Sequence, residues 1–189
     1  MKDFTSEIDA ALIAETPIPQ ESVLQWIEAA SDLTTLAKLY RLTGQSYDRI
    51  QPELAPELTC GLIQRFLLQC IRENVVDDDE IPTRWEAAQT LHAWFCHLSD
   101  MPEDNSSILK QAANAVTTLY LESDGGVRNC IEQGFLEHAL EMVALRPYFA
   151  DWSSDDRLRD SWERALEWGE AHPNYTWDLL QELRRIQDE

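Results

Sequence analysis

The sequence lacks the long apolar run that a membrane-spanning helix requires. No stretch of its 189 residues approaches about 20 consecutive apolar side chains. The opening residues MKDFTSEIDAALIAE also carry acids where a secretory signal would have an uninterrupted apolar core. These absences predict a cytoplasmic protein that does not bind membranes.

Cysteine is scarce, and no two cysteines form a C-x-x-C pair. The four are Cys60, Cys70, Cys96 and Cys130. Each lies among apolar residues at helical spacing, so we expect four reduced thiols, at least three of them largely buried. His92 and Cys96 could share a metal ion, but no further Cys or His is close to them in the sequence, and structural zinc requires four ligands. We therefore predict no metal and no cofactor.

Motifs of catalysis are also missing, since the sequence contains no G-x-S-x-G, no H-E-x-x-H and no glycine-rich phosphate loop. Neighbouring acids such as Asp155 and Asp156 arise by chance in a chain with 35 acidic residues. We predict no catalytic residues and no enzymatic activity. A deep pocket that combined His92 or His138 with a buried carboxylate would revive the enzyme alternative.

Basic residues are few. Fifteen Lys and Arg against 35 Asp and Glu give a formal net charge of −20. This charge repels nucleic acids and anionic membranes and attracts basic proteins. Solubility by itself is satisfied by a net charge of about 2 to 8. The composition therefore predicts a basic protein partner and no direct binding of nucleic acid.

The alternation typical of β-strands is absent, while apolar residues recur at helical spacing from end to end. This periodicity predicts an all-α fold with about 8 to 10 helices. Asp32 is expected to cap a helix that Gly44 ends, and Pro56 to occupy the first position of the next helix. We predict a single domain, 1–189, with N-terminal helices in 1–50, helical repeats in 57–171 and a capping helix in 175–187.

Glycines separate the predicted helices in the stretch from Ser107 to Val143. One helix is expected to end at Gly125 and Gly126, a short helix to follow, and Gly134 to separate it from the next. The apolar positions of these helices are Ile108, Ala112, Val116, Leu119, Tyr120, Phe135, Leu136, Leu140 and Val143.

This pattern resembles an armadillo repeat, and HEAT-like helix pairing would look similar. The resemblance implies a short right-handed α-α superhelix with a corner at Gly134, where a near right-angle turn leaves no room for a Cβ. A further helix from Asp155 to Glu170 continues the register.

The sequence departs from the armadillo family at the positions that grip peptides. Peptide-binding members carry a Trp followed four residues later by an Asn. The corresponding pairs here are Asn114 with Thr118, and Arg164 with Trp168. The regular series of Trp and Asn pairs is absent, so the resemblance does not imply a nuclear-import type of activity.

The predicted helix Asp155–Glu170 separates acidic from apolar residues. Its acids fall on one side of the helix: Asp156, Asp160, Glu163, Glu167 and Glu170. We expect Trp168, with Arg157 and Arg164, to occupy an adjacent face that lines a groove. Two alternatives stay open, in which the acids form only a solvated outer face, and in which the C-terminal helix covers Trp168 as a cap.

Taken together, these features favour a non-enzymatic protein that binds a basic partner through its acidic and groove surfaces. A concrete form is an inhibitor or immunity protein that occludes a basic nuclease or another toxin. The alternative is an assembly or chaperone adaptor that holds a protein subunit in its groove. Salt sensitivity distinguishes them, because salt weakens charge-driven binding more than apolar binding.

Overall fold

The computed structural model describes residues 4–76, 78–100, 102–175 and 178, with the backbone alone at 102–104. Nine α-helices occupy most of these residues, and the two strands among them have two residues each. The prediction of an all-α protein is therefore confirmed. No helix in the described ranges is both long and apolar enough to cross a bilayer. Apart from 175 and 178, the predicted capping helix 175–187 lies outside the described residues.

Tertiary contacts divide the chain into two compact units, Met1–Pro82 and Thr83–Glu189. The prediction of a single domain stays a prediction, and each unit is described by itself.

The first unit contains four helices and a minimal parallel strand pair. Its elements are α1 (Thr5–Ile13), β1 (Ile18–Pro19), α2 (Gln20–Ala29), α3 (Leu33–Gln45), a 3₁₀ turn (Tyr47–Arg49), β2 (Ile50–Gln51) and α4 (Pro56–Glu73). Ile18 pairs with Ile50 in the two-stranded ladder. Helix α3 packs against α1, α2 and α4, so the core of this unit forms around it.

Local signals in the sequence account for most of these boundaries. The Asp32 carboxylate accepts a hydrogen bond from the Thr35 N–H at 2.8 Å and caps α3, as predicted. Pro56 opens α4, where its missing N–H costs nothing, and Asn74 ends it in the left-handed conformation at φ 52°. Gly44 does not end α3, because the helix continues through Gln45.

In the second unit, the described residues form the other five helices. They are α5 (Arg84–Ser99), α6 (Pro102–Glu122), α7 (Gly125–Ile131), α8 (Glu137–Glu141) and α9 (Arg159–Ala171), with a π-helical segment Glu132–Leu136 and a 3₁₀ segment Arg146–Ser154. Helix α5 packs against α6, α7 and α8, and α9 packs against α8.

Aromatic rings fill the core of the second unit. Phe95 of α5 meets Phe135 with ring centroids 4.9 Å apart and Phe149 at 5.9 Å. Trp152 lies beside Phe149, and its indole N–H donates to the Thr117 hydroxyl at 2.8 Å. The 3₁₀ segment therefore contributes two core side chains, a role that its irregular sequence did not predict.

The predicted helix corner at Gly134 is wrong. Residues 125–141 are helical throughout, because the π-helical segment joins α7 to α8 without a turn. The glycine serves close packing instead, since a Cβ at this position would lie 3.1 Å from the Ala88 Cβ and from the Trp85 Cε3 of α5. The close approach of α5 therefore explains why position 134 is a glycine, the residue from which the sequence pattern predicted a corner.

Two further boundaries differ from prediction. Gly125 and Gly126 do not end α6 but begin α7, since the Asp124 carboxylate caps the Gly126 and Val127 N–H groups at 2.8 and 3.0 Å. The helix predicted from Asp155 begins only at Arg159. Asp155 binds the backbone N–H of Arg157 at 2.9 Å, which holds a turn ahead of the helix.

Candidate functional site

The acidic residues of α9 form one exposed face, as the sequence predicted. Asp160, Glu163, Glu167 and Glu170 are all exposed. The opposite side of the helix is buried through Ser161, Trp162, Ala165 and Gly169. Asp156 lies in the turn before α9, and its side chain is 89% exposed. These five acids, Asp156, Asp160, Glu163, Glu167 and Glu170, are called the acidic face below.

Among the described residues, ion pairs form at the two ends of the acidic face. Asp156 pairs with Arg159 at 2.7 Å, and Glu170 lies 3.9 Å from Arg146. Within the described ranges, Asp160, Glu163 and Glu167 form no ion pair. The centre of the face therefore carries negative charge that no ion pair of the described residues neutralises, although Arg164 interacts electrostatically with Asp160.

The two predicted arginines are exposed but separate. Arg157 lies before the first turn of α9 and pairs with Asp155 at 2.7 Å, which lowers the pKa of that carboxyl to about 2. Arg164 holds Glu132 through Nε at 2.6 Å and Nη2 at 3.0 Å. Arg164 lies one helical turn before Trp168 on α9, whereas Arg157 precedes the helix. That the three side chains line a groove stays a prediction.

Trp168 is partly exposed and firmly oriented. The residue is 38% exposed, and its indole N–H donates to Glu141 Oε1 at 3.3 Å. The His172 ring stacks on it at a centroid distance of 4.0 Å, and the His138 ring meets it edge-on at 6.4 Å.

Asn114 and Thr118 lie on another helix, on the exposed side of α6. The Thr118 hydroxyl donates to the Asn114 carbonyl at 2.9 Å, so its donor is used within the helix. Both residues point away from the side that is buried through Ala112, Val116 and Leu119. Their binding role stays a prediction.

A polar cluster that the sequence did not predict lies behind Trp168. Glu141 is 1% exposed, and its Oε1 lies 2.9 Å from His138 Nδ1. The His138 ring is 5.8 Å from the ring of His92, whose Nε2 lies 3.1 Å from Cys96 Sγ. The i, i+3 spacing of His138 and Glu141 was the available signal, but only the fold shows that the carboxylate is buried.

Burial determines the protonation state of His92. Desolvation, together with the neighbouring His138, lowers the pKa of His92 to about 4, and the negative charge of Glu141 opposes this shift. His92 is therefore neutral near pH 7. In the part of the chain that the structure describes, no group of three or more His, Cys, Asp or Glu side chains could hold a metal ion.

The cysteines are free thiols, three buried and Cys60 half-buried, which confirms the prediction for them. Burial raises the pKa of Cys70 to about 12 and that of Cys130 to about 11. These thiols therefore stay protonated and poorly nucleophilic at neutral pH.

Two solvent-open cavities are lined by residues that the structure describes. In the first unit, a cavity of about 360 Å³ is lined by Ala37, Tyr40, Arg41, Gly44, Gln45, Asp79 and Glu80. In the second unit, a cavity of about 410 Å³ follows the end of α9 and is lined by Ala171, His172, Pro173, Tyr175 and Asp178. Neither is lined by His92 or His138.

Comparisons with family models, with curated proteins and with solved structures found no match to this chain. The armadillo or HEAT resemblance is thus not shown, and the surfaces described above carry the functional argument.

Proposed function

We propose that this chain is a non-enzymatic, protein-binding helical protein that engages a basic partner through the acidic face of α9. The observation that carries the proposal is the exposed charge of Asp160, Glu163 and Glu167, which form no ion pair with another described residue. A net charge of −20 extends the attraction beyond the contact surface, which speeds encounter with a basic protein.

The proposal includes a helical-repeat arrangement within the second unit. Consecutive helices pack on one another there, α5 against α6 and α8 against α9, as in α-α solenoids. The continuous helix through Gly134 removes the corner on which the armadillo resemblance depended. HEAT-like pairing of antiparallel helices is the form of the repeat that we propose.

In its concrete biological form, the protein is an inhibitor or immunity protein that covers a basic nuclease or another toxin. Nucleases that act on polyanions present basic surfaces, and the acidic face would compete with the nucleic acid for them.

The proposal is tested by capture from native lysate at low and high salt, with quantitative mass spectrometry. The variant D160K/E163K/E167K should lose the basic proteins that the wild type retains at low salt. A matched control, E21K/E28K/E53K, reverses three exposed acids of the first unit. Both variants change the net charge by six, from −20 to −14, so only the position of the charge differs. Equal retention by the two variants would contradict the proposal.

One observation favours the adaptor alternative as a second candidate. Trp168 is exposed while its N–H is held by the buried Glu141, so its ring is oriented before any partner arrives. Exposed, preorganised tryptophans are enriched among binding hot spots. A partner captured equally at low and high salt, and lost on Trp168→Ala, would support the adaptor.

The enzyme alternative requires a deep pocket that combines His92 or His138 with a buried carboxylate. The buried Glu141 lies beside His138 and supplies such a carboxylate. His92 and Cys96 are 2% and 0% exposed, which leaves only the His138 ring accessible to a substrate. The cluster orients Trp168, and this structural role needs no catalytic activity.

A further inference from the structure

The cavity after α9 is built on an anchored turn. Asn174 adopts the left-handed conformation at φ 57°, and its N–H donates to the Glu141 carbonyl of α8 at 3.3 Å. The Tyr175 N–H donates to the His172 carbonyl at 3.2 Å, and the Asp178 N–H to the Asn174 carbonyl at 2.9 Å. Backbone hydrogen bonds thus position the residues that line the cavity.

Aromatic rings form one side of the cavity. His172 is held against Trp168 by ring stacking and by a 2.9 Å contact from its Nδ1 to the Trp168 carbonyl. The Tyr175 ring lies 6.2 Å from that of His172, at an angle of 64°. Tyr175 is 60% exposed, so part of its surface is available to a ligand.

A carboxylate completes the lining. Asp178 follows Tyr175 by three residues, and its N–H donates to the carbonyl of Asn174, four positions earlier, which is the spacing of an α-helical hydrogen bond. Side chains at this spacing lie on the same side of a turn. Aromatic faces beside a carboxylate attract cations, because the ring quadrupole and the carboxylate charge act in the same direction.

We propose that this cavity receives an arginine side chain of the basic partner, with the guanidinium stacked on Tyr175 and paired with Asp178. This inference rests on the proposed function, since it adds a specific anchor to the binding of a basic protein. A guanidinium is planar, stacks on aromatic faces and is more weakly hydrated than an ammonium, so arginine fits this site better than lysine. The cavity of about 410 Å³ has room for one such side chain and its water.

The test titrates the full chain with small probes and follows its NMR spectrum. The probes are N-acetyl-arginine amide, N-acetyl-lysine amide and N-acetyl-citrulline amide, the last being nearly isosteric with arginine but uncharged. We expect saturable shifts at His172 and Tyr175 with the arginine probe, weaker ones with lysine and none with citrulline. Equal shifts with arginine and citrulline, or equal affinities for arginine and lysine, would overturn the proposal.

Two variants test the site independently. Y175L removes the ring, D178N removes the charge, and each should raise the dissociation constant of the arginine probe at least about fivefold. Y47L is the matched control, because Tyr47 is 38% exposed in the first unit. An unchanged dissociation constant in both Y175L and D178N would overturn the proposal, and the dispersion of each spectrum reports whether the variant is folded.

Failure of this inference is distinguishable from failure of the proposed function. If the arginine probe does not bind while D160K/E163K/E167K still loses the basic partner, the cavity assignment is overturned and the acidic face stands. If the probe binds as expected while the reversal leaves capture unchanged, the cavity assignment is supported and the acidic face is not the docking surface.

Discussion

At the scale of single residues, the buried cluster behind Trp168 couples ionisation to folding. His92 is 2% exposed and faces Cys96 on its own helix and His138 and Glu141 on α8. A neutral imidazole fits these surroundings, whereas a protonated one would lose its hydration and be disfavoured by the neighbouring His138.

This environment predicts that acid destabilises the protein through His92. The pKa of His92 is about 4 in the folded chain and 6.5 without these surroundings. Below pH 6.5, His92 binds a proton in the unfolded state but stays neutral in the folded state. The contribution of His92 to the free energy of unfolding is therefore fully present above pH 6.5 and is lost as the pH falls toward 4. Between pH 7.5 and 4.5 this residue should account for a loss of about 2–3 kcal/mol.

Urea unfolding of the wild type and His92→Gln at both pH values measures this loss. The variant should be less stable at pH 7.5 but should lose less on acidification than the wild type. His97→Gln is the matched control, because His97 is exposed on the same helix. The same pH dependence in the wild type and His92→Gln would contradict the assignment.

At the scale of elements, the contact between α8 and α9 depends on one glycine. A Cβ at Gly169 would lie 2.5 Å from the carbonyl carbon and oxygen of Leu140 and 2.8 Å from the Glu141 nitrogen. These are backbone atoms of the neighbouring helix, so no rotamer change can relieve the overlap. The close approach also brings Trp168 within hydrogen-bonding distance of Glu141.

Gly169→Ala should therefore force the two helices apart and lower the free energy of unfolding by about 2–3 kcal/mol. The control is Gly125→Ala in the same unit, where an added Cβ meets nothing within 4 Å. Replacing Gly125 by alanine reduces the backbone freedom of the unfolded chain. The free energy of unfolding of this control should therefore stay unchanged or rise by up to about 1 kcal/mol. Urea unfolding followed by circular dichroism compares the two, and equal stabilities would show that α8 and α9 can separate without cost.

At the scale of the whole molecule, the distribution of charge predicts how binding kinetics respond to salt. Long-range attraction acts before contact, so it changes the association rate, whereas contacts such as that of Trp168 change the dissociation rate. Screening at physiological ionic strength limits this attraction to about 8 Å.

For a captured basic partner, D160K/E163K/E167K should slow association and flatten the dependence of its rate on salt. Trp168→Ala should speed dissociation by an amount equivalent to about 2 kcal/mol while the salt dependence stays as in the wild type. Surface plasmon resonance between about 50 and 500 mM salt separates the two effects. A reversal variant that altered only the dissociation rate would argue against electrostatic capture.

Sequence patterns predicted the features that depend on neighbours along the chain. The all-α class, the cap at Asp32 and the exposure of the acids on α9 all follow from helical spacing and from hydrogen bonds within a few residues. The start of α9 was placed too early, because Asp155 and Arg157 favour a local turn over the first helical hydrogen bonds.

Only the tertiary structure decided what the glycines and the buried polar groups do. Gly134 could serve a turn or a close helix contact, and the approach of Ala88 and Trp85 on α5 decides in favour of the contact. Glu141 and Trp168 are 27 positions apart, and their hydrogen bond forms because Gly169 lets α9 lie directly on the α8 backbone. Helical periodicity encodes which side of each helix is apolar, but the partner of each side depends on packing between helices that are distant along the chain.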